Sequence, residues 1–416
     1  MGSPLIIVGA GMAAAYLLAE LRAVSETSKH VRRRNVVLIG DEAQACYNRV
    51  LLSSLLAGEC EPSDLDMCQG DEYLSIITGR RVVEIYSEEQ VLKLDDGQVM
   101  PYSDVVISTG ATVPAPEAIP SGAEGVQFFR SLTDLDRLRT RSRRAKRAAV
   151  IGGGLLGLEA AWGLHLLGLT VTVVHRNEFL MNRQLDEGGS SELRRQLETA
   201  GLQFELGTVV TTTDLSDGKV SGIRLASGRR VDCELLVCAT GISPNTELAE
   251  RAGLAVDRGV CVDSFLHTGI PSVHALGECI QLGAMTYGLV APIRRQAHVL
   301  AKRLMRIDTP PFEDSDDPTQ LKVSGVHVFS AGDIRGDGEH IELTSQKHGI
   351  YRKLFIRDGR LVGAVLVGDR SGAAVFTELI QSRVDIGSLR HQLMFNPQVP
   401  DTSCGDAMKE KGICYA

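Results

Sequence analysis

An α/β fold with two Rossmann-like dinucleotide-binding domains and a small α+β module is what the sequence predicts, because one phrase occurs in it twice. The phrase is "PLIIVGAGMAAAYLLAELR" at the start of the chain and "RAAVIGGGLLGLEAAWGLHLLGLTVTVVHR" at Arg147 to Arg176. Each copy reads as a buried apolar strand, a glycine-rich turn and a helix with an apolar face, the context that gives a dinucleotide fingerprint its meaning. Either copy alone is a weak signal, since Gly-rich turns are common; two in matching context imply two dinucleotides. The third observation is a strand-rich stretch after Leu321 that carries no fingerprint.

In the first copy Gly9 and Gly11 hold the positions where the turn must be tight and the backbone must approach a pyrophosphate, with Ala14 at the third position. The helix from Met12 to about Ala23 then offers its N-terminal amides to phosphate. "NVVLIGDE" is the next strand, and Asp41 at its end is placed to bond a ribose hydroxyl. "VVISTGA", Val105 to Ala111, closes this unit in a turn at Thr109 and Gly110. Gly152, Gly154 and Gly157 complete the second fingerprint, and "TVTVV" follows as its strand. "LLVCATGISPN", Leu235 to Asn245, closes that unit in a turn at Thr240 and Gly241. "TGIPSVHALGECI" is a strand entering a turn with Gly277 and Glu278, and an amphipathic helix follows with Pro292 in its first turn. Thr309 to Thr319, rich in Pro and Asp, reads as a linker. The module beyond has a hairpin signal at Asp358-Gly359 and the helix "GAAVFTELIQSRV"; packing and dimerisation are its expected work.

Composition limits the function classes. A chain of 416 residues, 44% hydrophobic and 23% charged, has room for two or three packed domains and no disordered bias. No Lys or Arg precedes the apolar opening run and glycines punctuate it, so it reads as a cradle rather than a leader. No other segment reaches membrane-spanning length without charge. The nine cysteines are odd in number and scattered, as expected of reduced thiols in a cytoplasmic protein. A net charge of -8 argues against general nucleic-acid or anionic-membrane binding.

The order of fingerprint, "STGA", second fingerprint ending in Glu159, "ATGISPN" and "ALGEC" resembles the FAD-dependent pyridine-nucleotide oxidoreductases. "CYNRVLLSSLLAGE", "FLMNRQLDEGGSSELRRQLE", "YGLVAP" and "GAVLVGD" are similar to one branch, the NAD(P)H-binding flavoprotein portion of assimilatory nitrite reductase large subunits and their stand-alone relatives serving nitrate reductases. The resemblance implies a discontinuous FAD domain (1–112 and 241–318), an inserted NAD(P)H domain (113–240), an interface domain (319–400) and a Cys-containing tail (401–416). It implies that Asp41 and Arg49 hold the adenosine end of FAD, that Glu278 bonds its ribityl or diphosphate region, and that the helix starting near Ala291 points its positive end at the flavin. It also implies that Glu159 faces the nicotinamide carboxamide; the lesser alternative from the residues alone is an acid in a solvated first helical turn. Tyr47 packs at the flavin edge or fills core. Electrons would pass from NAD(P)H through FAD to a partner protein or subunit carrying an iron-sulfur or metal centre.

Departures from the family narrow this chemistry. No CxxC occurs, and the one CxxxxC, Cys233 to Cys238 in "CELLVC", lies in the closing strand of the second unit rather than near the first fingerprint, so disulfide reduction by a Cys pair beside the flavin is not expected, and Cys46 in "ACYNR" lacks the single-Cys motif and reads as a packed thiol. Ser54 stands where rubredoxin-reductase-type enzymes carry a Lys beside the flavin. His175 occupies the place of the acid that selects NADH, with Arg176 next; the pair either binds a 2'-phosphate or leaves NADH as good a substrate. "RLRTRSRRAKR", Arg137 to Arg147, is a basic run that either docks an acidic partner or is a solvated linker helix. Cys404 and Cys414 are too few for an iron-sulfur cluster within one chain, and no metal site is expected. Rubredoxin or ferredoxin reduction in another pathway, an NAD(P)H oxidase and a slow flavin-binding regulator remain alternatives.

Overall fold

The computed structural model describes residues 2–395 except 29–31, 121, 315–318, 324, 337, 388–389 and 391. The tail at 401–416, with Cys404 and Cys414, lies outside the described residues, as does part of the expected linker. The α-helices described are α1 (Met12–Thr27), α2 (Leu52–Ala57), α3 (Leu132–Ser142), α4 (Leu155–Leu166), α5 (Glu187–Thr199), α6 (Glu247–Arg251), α7 (Val290–Leu304) and α8 (Ala373–Ser382).

One parallel sheet has the strand order Val273–Ala275, Asp104–Ile107, Leu5–Val8, Val36–Ile39, Leu74–Ile77. Its central strand is apolar throughout, and Leu5, Ile6 and Ile7 have no exposed surface, as a strand covered on both faces requires. Helix α1 continues past the expected end at Ala23 because Val24 still buries on this sheet's core. The chain leaves the sheet after Ile107 and returns at Val273. Between those points it builds a second parallel sheet, ordered Gln203–Leu206, Thr170–His175, Arg147–Ile151, Leu235–Cys238, Val126–Phe128.

Two small antiparallel sheets were not read from the sequence, at Val82–Pro101 and at Val210–Asp232. The second contains a two-residue turn at Asp217 and Gly218, with φ of 50° and 77°. Positive φ at both central residues is the requirement of a type I′ hairpin.

By compactness the chain divides into Met1–Arg176 with Gly201–Ser315, and Asn177–Ala200 with the chain from Asp316 on. The first unit holds both parallel sheets. The second is a five-stranded antiparallel sheet, ordered Thr319–Val323, Val326–Gly332, Arg360–Val367, Ile350–Arg357, Glu339–Ser345, with α5 and α8 packed on it. The expected Asp358-Gly359 hairpin joins two of its strands, with φ of 50° and 71°. Segment 177–200, assigned from sequence to the 113–240 domain, packs instead in this second unit. The reason is local: a Cβ at Gly188 would stand 2.5 Å from the Tyr351 ring, and the Tyr351 hydroxyl donates to Asp186 at 2.6 Å.

Candidate cofactor and hydride-transfer site

The fingerprint glycines divide into two kinds. Gly9 has φ +105°, and a Cβ there would lie 2.3 Å from the Ser108 carbonyl oxygen; Gly152 has φ +130°, with the Ala239 carbonyl oxygen 2.1 Å from its Cβ position. A Cβ on Gly157 would stand 2.0 Å from the Gly152 carbonyl, and Ala14 at the matching place in the first copy is fully buried. These positions are small because protein packs on them. Gly11 and Gly154 are different: their φ values of -98° and -84° suit any residue, and no protein atom lies within 4 Å of either Cβ position. The space in front of them is open, as a backbone meant to approach a pyrophosphate requires. Each is the N-cap of its helix without a side-chain cap, and neither α1 nor α4 has an acid in its first turn. The helix amides are thus left for phosphate, and the residues fit one dinucleotide at each turn.

Around the first turn, Asp41 is exposed and pairs with Arg81 at 3.1 Å. Its neighbour Glu42, which sequence reasoning passed over, turns inward: it pairs with Arg49 and accepts the Tyr47 hydroxyl at 2.6 Å. Arg49 also donates to the Tyr47 oxygen at 2.6 Å and to the Arg130 carbonyl at 2.9 Å. Tyr47 is only 1% exposed, and burial pushes its phenol above the ordinary range. Arg130, also missed, pairs with Glu278, and a Cβ on Gly110 would lie 3.8 Å from the Glu278 carboxylate. Thr109 donates to the Asn245 carbonyl at 2.9 Å, beside the exposed Gly241. The Gly277 amide donates to Gln296, a fully buried amide on α7, at 2.9 Å. Ala291 is exposed in the first turn of α7, which has no acid and no side-chain cap.

Glu159 stands in the second turn of α4, which begins at Leu155, so the expectation of a solvated first-turn acid is corrected. There α4 packs on α2 so closely that a Cβ at Gly163 would be 2.7 Å from Leu56. The Ser53 hydroxyl, which donates to the Val50 carbonyl at 3.4 Å, stands beside the Glu159 carboxylate. Burial pushes the Glu159 carboxyl up to about 7; the neighbouring Ser53 hydroxyl pulls it down and the charge of Glu59 raises it further. Ser54, the residue singled out from sequence, turns to Glu59 at 3.4 Å instead. The helix of the second fingerprint and the helix behind the first therefore meet at a carboxyl that gains or loses a proton near neutral pH.

At the second turn His175 Nδ1 accepts the Gly153 amide at 3.0 Å, which fixes the unprotonated nitrogen of the ring. Arg176 is exposed and forms no ion pair among the described residues. The basic run is partly structural: Arg139 donates to the Leu55 carbonyl, and Arg147 pairs with Asp232 at 3.1 Å and Glu234 at 2.6 Å. Arg137, Arg143 and Arg144 are exposed without an ion pair among the described residues. No described helix is long and apolar enough to cross a membrane, and no group of three or more metal-ligating side chains occurs among the described residues.

Comparison with known proteins agrees with this geometry. Residues 3–299 match the pyridine nucleotide-disulphide oxidoreductase family, and residues 318–384 match the rubredoxin NAD+ reductase C-terminal domain. The chain is 38% identical to a nitrite reductase [NAD(P)H] of Bacillus subtilis over 98% of its own length, and spans about half, 51%, of that relative. It is 31% identical to a nitric oxide reductase FlRd-NAD(+) reductase of Vibrio vulnificus, covering 89% of this chain and 95% of the relative. The crystal structure of a ferredoxin reductase from Rhodopseudomonas palustris superposes with a TM-score of 0.81 at 26% identity, covering 90% of this chain and 93% of that one. The chain belongs to the pyridine nucleotide-disulphide oxidoreductases.

Proposed function

We propose that this chain is the reductase component of nitrate or nitrite assimilation, carrying electrons from NAD(P)H to an iron-sulfur or metal-centre partner. The observation that carries the reading is the close packing of α4 on α2 at Gly163 and Leu56, beside Glu159, which joins the two dinucleotide-binding halves within one compact unit. Bound FAD supplies the ability to accept a hydride and release electrons singly. The chain supplies position. Gly9, Gly11 and Ala14 shape the FAD turn; Asp41 and Arg49 hold the adenosine end; Thr109, Gly110, Gly277 and Glu278 border the ribityl and diphosphate region. The open N-terminus of α7 at Ala291 turns a positive dipole toward the flavin. Gly152, Gly154 and Gly157 receive NAD(P)H, Gly241 lines its closing turn, and Glu159 orients the carboxamide. Arg176 binds a 2'-phosphate beside the neutral His175.

Similarity to a nitrite reductase over 98% of this chain supports the assimilatory reading. Near full-length similarity to the FlRd-NAD(+) reductase supports a second, a reductase of a small iron-sulfur carrier in another pathway. The exposed arginines of α3 and its C-terminal turn suit an acidic partner. The test is anaerobic: the NAD(P)H-reduced protein is mixed with a siroheme- or iron-sulfur-containing nitrite reductase domain, with a rubredoxin, and with oxygen. Fastest reoxidation by the first supports the assimilatory role and by the second the carrier role. Fastest reoxidation by oxygen overturns both.

A further inference from the structure

The sequence places Cys46 and Cys68 twenty-two positions apart in no recognised motif, yet the fold sets them next to one another on two paired segments. Residues 46–48 run antiparallel to 65–67: Met67 donates to the Cys46 carbonyl at 2.8 Å, Asn48 donates to the Leu65 carbonyl at 2.7 Å, and Tyr47 bridges Asp66 between them. Cys46 is fully buried and sits at φ +46°, a left-handed conformation that costs a non-glycine residue energy and marks a position held by its surroundings. What holds it includes its own amide, which donates to the Ala10 carbonyl at 2.7 Å, between Gly9 and Gly11 of the FAD turn. Cys68, half-buried, lines a cavity of about 420 Å³ whose wall includes Leu18, Arg22, Arg33, Met67 and Tyr73. That volume admits several waters or a small peroxide.

We propose that Cys46 and Cys68 are a redox-modifiable dithiol, oxidised by hydroperoxide through the cavity and coupled to FAD binding through Ala10. The Cys68 thiolate attacks one peroxide oxygen, forming an S–O bond as the O–O bond breaks, and the departing hydroxide takes a proton to leave as water. Cys46 then attacks the Cys68 sulfur; the S–S bond forms, the S–O bond breaks, and a second water leaves with the Cys46 proton. Two thiols and one hydrogen peroxide give one disulfide and two waters, each sulfur losing one electron. The division of roles follows from access, since Cys68 lines the cavity and Cys46 is fully buried. The neighbouring thiols also act on one another, which draws the Cys68 thiol below its ordinary range and holds the Cys46 thiol well above it. Cys233, Cys238 and Cys279 show the contrasting case, buried thiols pushed up to about 12, 12 and 11 chiefly by burial.

Closing the bond brings the two sulfurs to about 2 Å and demands a dihedral near 90°. Cys46 must shift to meet that demand, and the Ala10 carbonyl shifts with it. The proposal rests on the FAD turn assigned above but is read separately from turnover. FAD-loaded protein is exposed to limiting hydrogen peroxide, alkylated under denaturing conditions and mapped by mass spectrometry. FAD affinity is measured by flavin fluorescence before and after oxidation. The expected result is one Cys46–Cys68 cross-linked peptide, reversed by dithiothreitol, with FAD held about fivefold more weakly in the oxidised form. Cys46→Ala should stop at a dimedone-reactive sulfenic acid on Cys68, and Cys68→Ala should leave Cys46 reduced. Free, alkylated Cys46 and Cys68 after oxidation of other thiols overturn the dithiol. A complete cross-link with unchanged FAD affinity overturns the coupling. Failure of the protein to bind FAD at all would count against the first cradle, while the cross-link would still be scored in the apoprotein.

Discussion

Glu159→Gln isolates the junction between the two cradles. The Glu159 carboxyl titrates near 7 in the native protein against 4.5 in a free chain, the rise coming first from burial. A carboxyl with a raised native value binds more protons folded than unfolded throughout the window between the two, so wild-type stability falls as pH rises through it. From about pH 6 to about pH 8.5 the unfolded carboxyl stays ionised while the native one passes from mostly protonated to mostly charged; linkage puts the loss at about 1.4 kcal/mol. Partial solvent access trims this to about 1 kcal/mol. Glutamine has no proton to lose and escapes the penalty. Urea unfolding of FAD-loaded wild type and E159Q at both pH values should show the variant gaining about 1 kcal/mol on the wild type toward alkaline pH. A difference that stays constant, or that grows toward acid, would refute the reasoning that places this carboxyl in a desolvated junction.

The remaining predictions use contrasts within one structure. Gly11→Val meets open space at an ordinary φ, so the apoprotein should unfold at its wild-type temperature yet lose its flavin; a yellow variant would falsify the pyrophosphate assignment. Gly9→Ala, facing the Ser108 carbonyl at 2.3 Å, should instead fail to fold or lose several kcal/mol on the order of a buried clash. Gly218→Ala should cost about 1 kcal/mol in urea unfolding, because φ is +77° and nothing lies near the new methyl; an unchanged midpoint would remove conformational strain as the cause. Arg176→Ala should lower kcat/KM for NADPH about fivefold or more relative to NADH, and an unmoved ratio would mean that this side chain does not read the 2' position.

Much of the architecture was legible because it rests on local signals. Both cradles, their strands and the helix with Pro292 followed from apolar runs, glycine spacing and a first-turn proline, and the Asp358-Gly359 hairpin followed from a dipeptide that tolerates two positive φ values. The same dipeptide at Asp217-Gly218 announces the missed antiparallel sheet, and another at Asp96-Gly97 lies in the other; that signal was available and unread. Contacts made by long-range packing were not available. Nothing in "NEFLMNRQLDEGGSSELRRQLET" says that Gly188 will receive the ring of Tyr351, so the move of 177–200 to the second unit could not be read from pattern. At the site, Arg49 and Glu278 were found through motif position, whereas Arg130 and Gln296 became visible only once the chain returned to the first sheet. Ser53 rather than Ser54 neighbours Glu159 because α2, six residues long, is pinned by Leu52, Leu55 and Leu56, and a one-residue step there rotates the side chain away by about 100°.

The most direct test of the account is anaerobic stopped-flow reduction of the FAD-loaded protein by NADH and NADPH, with wild type beside Gly154→Val. The second cradle predicts flavin bleaching in wild type at a rate that saturates with coenzyme, and a variant that keeps its yellow flavin and its fold but is reduced at least about tenfold more slowly. Wild-type flavin untouched by either coenzyme, or Gly154→Val reduced at the wild-type rate, would contradict it.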